Sequence, residues 1–249
     1  MLQFDLSGRR VLVTGSTQGI GYAIASCLAE HGAEVYVHCS RDTEKAQRIA
    51  REIEEKTGAA VHGITADLGD ADAAQQLFAM TGDVDILVCN ASVQVRRAWD
   101  EITLDEYDTQ MNVNLRSSLC LMQTYIPGMQ KRGWGRVLNI GSVQQAKPHV
   151  QMAVYAASKC ALASLSDNIA KQVAADGVTV NMLLPGVIAT PRNDAALSDP
   201  VYREQVLAKI PAGYAGEAQD CSAAALLLCS EEGRYITGSS LYVDGGMHL

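Results

Sequence analysis

Long apolar runs are missing from this 249-residue chain. The longest, Ala223 to Cys229, falls far short of the ~18 residues that span a bilayer. The first ten residues set their basic pair, Arg9-Arg10, behind the apolar positions, the wrong layout for a secretory signal. A cytoplasmic protein is therefore expected. Basic charge is also short: 20 Lys+Arg face 28 Asp+Glu, a net charge of -8. That balance argues against nucleic acid held by phosphate neutralisation and against docking on an anionic membrane. The cysteines, Cys27, Cys39, Cys89, Cys120, Cys160, Cys221 and Cys229, are odd in number and include no C-x-x-C pair. They read as reduced, mostly buried small hydrophobes. Five histidines form no H-x-x-x-H pair, so no metal site is expected. Aromatic residues, at 5%, offer little surface for stacking on a flat ring system.

What is present, 48% hydrophobic and 19% charged residues, belongs to a globular chain with a substantial core. Short apolar runs alternate with longer helical patterns. Strands are expected at Arg10 to Thr14, Glu34 to His38, Val61 to Thr65, Asp85 to Cys89, Gly135 to Ile140, Val178 to Leu184 and Ser240 to Val243. Helices are expected at Ile20 to His31, Thr43 to Lys56, Ala71 to Met80 and Ala153 to Ala175. Such alternation implies right-handed crossovers and a mostly parallel sheet with helices on both faces. No linker, repeat or low-complexity tract divides the chain. The expectation is one doubly wound α/β domain over residues 1–249, a Rossmann-type sheet of seven strands with ligands at the carboxyl ends.

Thr14-Gly15-Ser16-Thr17-Gln18-Gly19-Ile20-Gly21 joins the first strand to the first helix. Glycine allows a tight turn and close approach of the backbone, and the helix N-terminus directs N–H groups at an anion. A dinucleotide pyrophosphate suits this place, although the spacing is G-x-x-x-G-x-G. NAD-selective sites put a carboxylate at the end of the second strand. Here His38-Cys39-Ser40-Arg41 comes first and no acid follows until Asp42. Ser40 and Arg41 suit a 2′-phosphate, so NADP is the preferred cofactor, with NAD still open.

Tyr155 and Lys159 stand at i and i+4 and share a helix face. A free phenol is a poor base at neutral pH, and an ammonium held nearby stabilises its ionised form. Ser142, at the end of the Gly135 to Ile140 strand, can bond the same substrate oxygen.

The sequence resembles the short-chain dehydrogenase/reductases of about 250 residues, from Leu6 to Gly246. The resemblance rests on the glycine turn, Asp67-Leu68, Asn90-Ala91, Asn114, Ser142, Tyr155-x-x-x-Lys159, Pro185-Gly186 with Ile188 and Thr190, and Val243-Asp244-Gly245-Gly246. It implies that Tyr155 gives or takes the proton and that Ser142 polarises the substrate oxygen. Lys159 would hold the nicotinamide ribose, and Asn114 would anchor a water linking Lys159 to solvent. Asp67 would lie near the adenine and Thr190 near the carboxamide. A homotetramer or homodimer, packed through the helices bearing Asn114 and Tyr155, is implied in the same way. One departure is Ser92, where the family carries glycine.

Substrate choice in that family is set by three segments. Here they hold Gln94, Arg96 and Arg97, then Gln144, Gln145 and His149, then Arg192 and Asn193. This polar set points to a small hydrophilic ketone or alcohol, such as a sugar, polyol or hydroxy acid. A 3-oxoacyl thioester reductase is the alternative of the same chemistry. A non-catalytic NADP-binding protein is the alternative of another class.

Overall fold

The structure, a computed structural model, describes residues 4–249. Met1–Gln3, the head of the segment judged not to be a secretory signal, lies outside the described residues. Seven parallel strands form one sheet in the order β3-β2-β1-β4-β5-β6-β7. They are β1 (Arg10–Val13), β2 (Glu34–Cys39), β3 (Val61–Thr65), β4 (Ile86–Cys89), β5 (Gly135–Ile140), β6 (Val178–Pro185) and β7 (Ser240–Val243). Every expected strand is present to within a residue or two. The early helices match as closely: α1 (Gly19–Glu30), α2 (Thr43–Thr57) and α3 (Ala73–Thr81). Between Asn90 and Trp134 the sequence pattern gives no element boundaries, and only the resemblance implies a helix at Asn114. This stretch forms α4 (Leu104–Met111), a π turn (Asn112–Arg116) and α5 (Ser117–Arg132). Beyond it come α6 (Ala153–Val173), α7 (Asp194–Ser198), α8 (Pro200–Leu207) and α9 (Asp220–Cys229).

β4, in the middle of the sheet, is apolar throughout because helices cover both faces. Alternate residues divide between two cores. Val11, Val13, Val35, Val37, Ile86 and Val88 face one layer with α1 and α9. Leu12, Tyr36, Leu87 and Cys89 face the other with α3, α5 and α6. Each such side chain contributes about 1.5–3 kcal/mol by leaving water. Of the seven cysteines, all free, Cys89, Cys221 and Cys229 are buried and Cys160 is exposed. The expectation of mostly buried cysteines is thus met by three of them only. No helix among the described residues is long and apolar enough to cross a membrane.

β1 pairs with β2 on one side and β4 on the other, and the chain winds outward from this pair in both directions. The crevice at the carboxyl ends of β1 and β4 is the topological switch point, where doubly wound sheets bind ligands.

Candidate active site

A cavity of about 850 Å³ opens at that switch point. Its floor is the glycine turn. Gly15 and Gly19 have φ of +62° and +59°, which side-chain-bearing residues rarely adopt. At Gly21 the reason is space: a Cβ would stand 2.4 Å from Asn90 Nδ2 and 2.5 Å from the Gly15 carbonyl oxygen. Asn90 Nδ2 donates to the carbonyls of Thr14 and Gly15, both at 2.9 Å. Below the turn, His38 Nδ1 accepts the Gly15 amide at 3.0 Å while Nε2 faces the Ala66 carbonyl at 2.9 Å. These partners put the proton on Nε2, and burial lowers the His38 pKa and keeps the ring neutral. The first turn of α1 has no carboxylate and no side-chain cap, so its amides remain for an anion.

Most expected cofactor residues line this cavity: Gly15, Thr17, Gln18, Gly19, Ile20, Gly21, Ser40, Arg41, Asp67, Leu68, Asn90, Ala91, Pro185, Gly186, Ile188 and Thr190. Ser16 departs from the expectation. It is fully buried, donates to the Val13 carbonyl at 2.6 Å and accepts the His38 amide at 2.9 Å. Its hydroxyl therefore braces β1 against β2 from behind the wall. At the far end, Arg41 Nε donates to Asp67 Oδ2 at 2.8 Å, and the Gly69 amide and the guanidinium hold the Asp67 carboxyl below its ordinary pKa. Asp42 is spent as the N-cap of α2, accepting the Lys45 amide at 2.8 Å. Lys45, which the sequence reading passed over, lines the same end and donates to Gln18 Oε1 at 2.9 Å.

Tyr155 and Ser142 line the other half of the cavity. Ser142 caps a short 3₁₀ turn, Val143–Gln145. Its amide donates to Gln145 Oε1 at 3.0 Å and its Oγ accepts the Gln144 amide at 3.2 Å, leaving the hydroxyl proton for a substrate oxygen. Behind Tyr155, Lys159 is 1% exposed and donates to the Ile140 carbonyl at 2.7 Å. Its Nζ lies 5.8 Å from the Tyr155 ring centre. Burial, then the charge of Arg192, lowers the Lys159 pKa to about 7, against a small opposing effect of Cys89.

Asn114 sits in the π turn rather than in an α-helix. Its side chain is committed to bracing: Oδ1 accepts the Val93 amide at 2.8 Å, and Nδ2 donates to the Val93 carbonyl at 2.9 Å and to Ser158 Oγ at 3.1 Å. Ser158, itself unread in the sequence, donates to the Tyr155 carbonyl at 2.7 Å. This chain of bonds ties the loop after β4 to the helix carrying Tyr155. All three polar hydrogen-bonding contacts of the Asn114 side chain thus go to the protein.

Of the expected substrate residues, Gln94, Gln144, His149 and Arg192 line the cavity, as do Arg96 and Asn193. Gln144 Oε1 accepts the His149 amide at 2.6 Å. Arg97 is instead ion-paired with Glu106 at 2.6 Å, and the Gln145 side chain caps Ser142. Ser92 takes no strain from its Cβ, since no described non-glycine residue has positive φ. It accepts from Arg192 twice, Nη1 to Oγ at 2.9 Å and Nη2 to the carbonyl at 2.7 Å.

The anion-binding turn and the phenol backed by a buried amine open on one cavity. Fold and site together thus define a nicotinamide-dependent oxidoreductase of the Rossmann class. The family model described as enoyl-(acyl carrier protein) reductase matches residues 15–248. The chain belongs to the short-chain dehydrogenase/reductase family. It is 36% identical to 3β-hydroxysteroid dehydrogenase 1 of Eggerthella lenta, over 98% of this chain and 95% of that one. A 3-oxoacyl (acyl-carrier-protein) reductase of Agrobacterium tumefaciens with NADP bound superposes with a TM-score of 0.93 at 36% identity, covering 98% and 96% of the two chains. A gluconate 5-dehydrogenase of Burkholderia cenocepacia in complex with NADP and tartrate gives 0.91 at 34% identity, covering 98% and 97%.

Proposed function

We propose that one domain, residues 1–249, interconverts a small polar ketone and its secondary alcohol with NADP(H), using Tyr155 to move the proton. The observation that carries this reading is the joint opening of Tyr155, Ser142 and the glycine turn on a single cavity, with Lys159 buried behind the phenol. When bound, the nicotinamide supplies the hydride to the carbonyl carbon or takes it from the alcohol carbon. Ser142 donates to the substrate oxygen and sets its direction. Tyr155 gives that oxygen a proton in reduction and takes the hydroxyl proton in oxidation. Lys159, when protonated, stabilises the phenolate left behind. Asn114 and Ser158 keep α6 in register with the loop after β4.

The residues present fit an NADP pyrophosphate and 2′-phosphate: uncapped amides at α1, no free carboxylate at the end of β2, and Ser40, Arg41 and Lys45 beside it. The NADP bound to the two related structures supports the same choice. Replacing Arg41 with Ala is expected to lower the NADPH-over-NADH ratio of kcat/KM by about 10- to 30-fold, the low end for a charge-assisted contact because the side chain is largely exposed. Steady-state assays with each cofactor check it.

Exposed apolar side chains on and beside α4, Trp99 and Leu104 at 78% and 81%, support a homodimer or homotetramer built on the α4 and α6 faces. The free cysteines support a reducing, cytoplasmic setting. The second substrate reading, a 3-oxoacyl thioester, rests on the related Agrobacterium reductase.

The test is nicotinamide absorbance with NADP(H) and NAD(H) over sugars, polyols, hydroxy acids, 3-oxoacyl thioesters and steroids. Turnover of small polar compounds is expected. No turnover on any class removes the oxidoreductase reading, and a preference for thioesters or steroids removes its substrate half.

A further inference from the structure

The carboxylates lining the cavity among the described residues, Asp67 and Asp70, both follow β3 at the cofactor end. The substrate side carries Arg96, Arg192, Lys209 and His149 instead, in a chain whose net charge is -8. Acidic residues outnumber basic ones overall, yet this rim has cations and no anion among them. Among the described residues no carboxylate pairs with Arg96, Arg192 or Lys209, whereas neighbouring Arg97 has Glu106. A concave wall with one sign of charge concentrates ligands of the other sign.

The guanidiniums are also held in place. Arg192 is fixed by its two bonds to Ser92, one hundred residues away in sequence. Arg96 Nη2 donates to Tyr202 on α8 at 2.9 Å. The two contacts join the loop after β4 to the segment after β6. Two of the five N–H donors of Arg192 go to Ser92, which leaves three for a ligand. Its charge also reaches the catalytic pair, being the second cause of the lowered Lys159 pKa.

We infer that the substrate is a small hydroxy or oxo acid whose anionic group sits on Arg192, with Arg96 and Lys209 drawing it into the cavity. The inference rests on the oxidoreductase reading and narrows its substrate. Ser92 serves as the positioning residue: a glycine there keeps the carbonyl acceptor but loses the Oγ that orients the fork. A planar guanidinium binds a carboxylate through two parallel bonds, so Arg192 is expected to discriminate more sharply than lysine would.

The experiment compares kcat/KM for a hydroxy acid, its amide and a phosphate ester of the matching hydroxy ketone, in the full-length enzyme with NADP(H). The acid is expected to exceed its amide by about 10- to 100-fold, the range for charge-assisted hydrogen bonds. In Arg192→Leu that ratio should fall to near one, and Arg192→Lys should restore part of it. Added salt should raise KM for the acid more than for the amide. A phosphate ester that outperforms the acid supports the anion seat and names phosphate as its occupant. An amide, steroid or thioester turned over as well as the acid, or an unchanged ratio in Arg192→Leu, overturns the inference and leaves the oxidoreductase reading standing. Absence of turnover on every compound overturns both.

Discussion

Tyr155→Phe is expected to lower turnover at least about 1,000-fold in both directions, while NADPH affinity changes by less than about threefold. The side chain is 5% exposed on α6, and phenylalanine fills nearly the same volume, so the helix and its bonds to Asn114 and Ile140 stay in place. What disappears is the single oxygen to which the proposed mechanism assigns the proton. General acid–base catalysis contributes about 10² to 10⁴, and the variant leaves no second group at that position. Turnover assays and a fluorescence titration with NADPH separate the two effects. Activity retained within tenfold of the parent would remove Tyr155 from the mechanism.

Lys159→Met should abolish activity to a similar degree and yet make the cofactor-free protein more stable. Burial holds the ammonium pKa near 7, against an ordinary 10.5, so the folded state disfavours a charge the unfolded chain accepts readily. Below pH 7 both states are protonated and the penalty is present in full. Between pH 7 and 10.5 the unfolded chain binds more protons, so stability of the parent rises with pH through that window. The gap corresponds to about 5 kcal/mol, and the orphaned Ile140 carbonyl in the variant takes back about 1–3 of it. A melting temperature higher by roughly 5 °C at pH 6–7 follows, closing as the pH nears 10. Thermal melts at pH 6, 8 and 10 without cofactor check this. A variant less stable at pH 7, or a gap that ignores pH, would show that Lys159 is already solvated in the folded protein.

Local spacing carries a good part of this site. Tyr155 and Lys159 are one helical turn apart, and the glycines lie in one strand-to-helix connection, so backbone period alone brings each set together. Residues whose work is done at long range were invisible or misread. Ser16 looked like part of the ligand-facing turn, yet strand pairing turns its hydroxyl toward His38 and Val13. His38 showed no motif, and only the alignment of β1 with β2 puts its ring below Gly15. Arg97 and Arg192 are equivalent by sequence, each a basic residue in a loop expected to face the substrate. One is neutralised by Glu106 and the other is held by Ser92 over the cavity.

Alternating apolar runs, the turn glycines and the i,i+4 pair were enough to define a doubly wound sheet, a tight glycine turn at a helix N-terminus and a phenol–amine couple, because each depends on neighbours within a few residues. Strand order and loop packing alone decided which arginine faces the cavity, that Asn114 is a brace and that Lys159 is buried. Those outcomes depend on hydrogen bonds and desolvation between segments 20 to 100 residues apart, and no short-range pattern encodes which distant groups will meet.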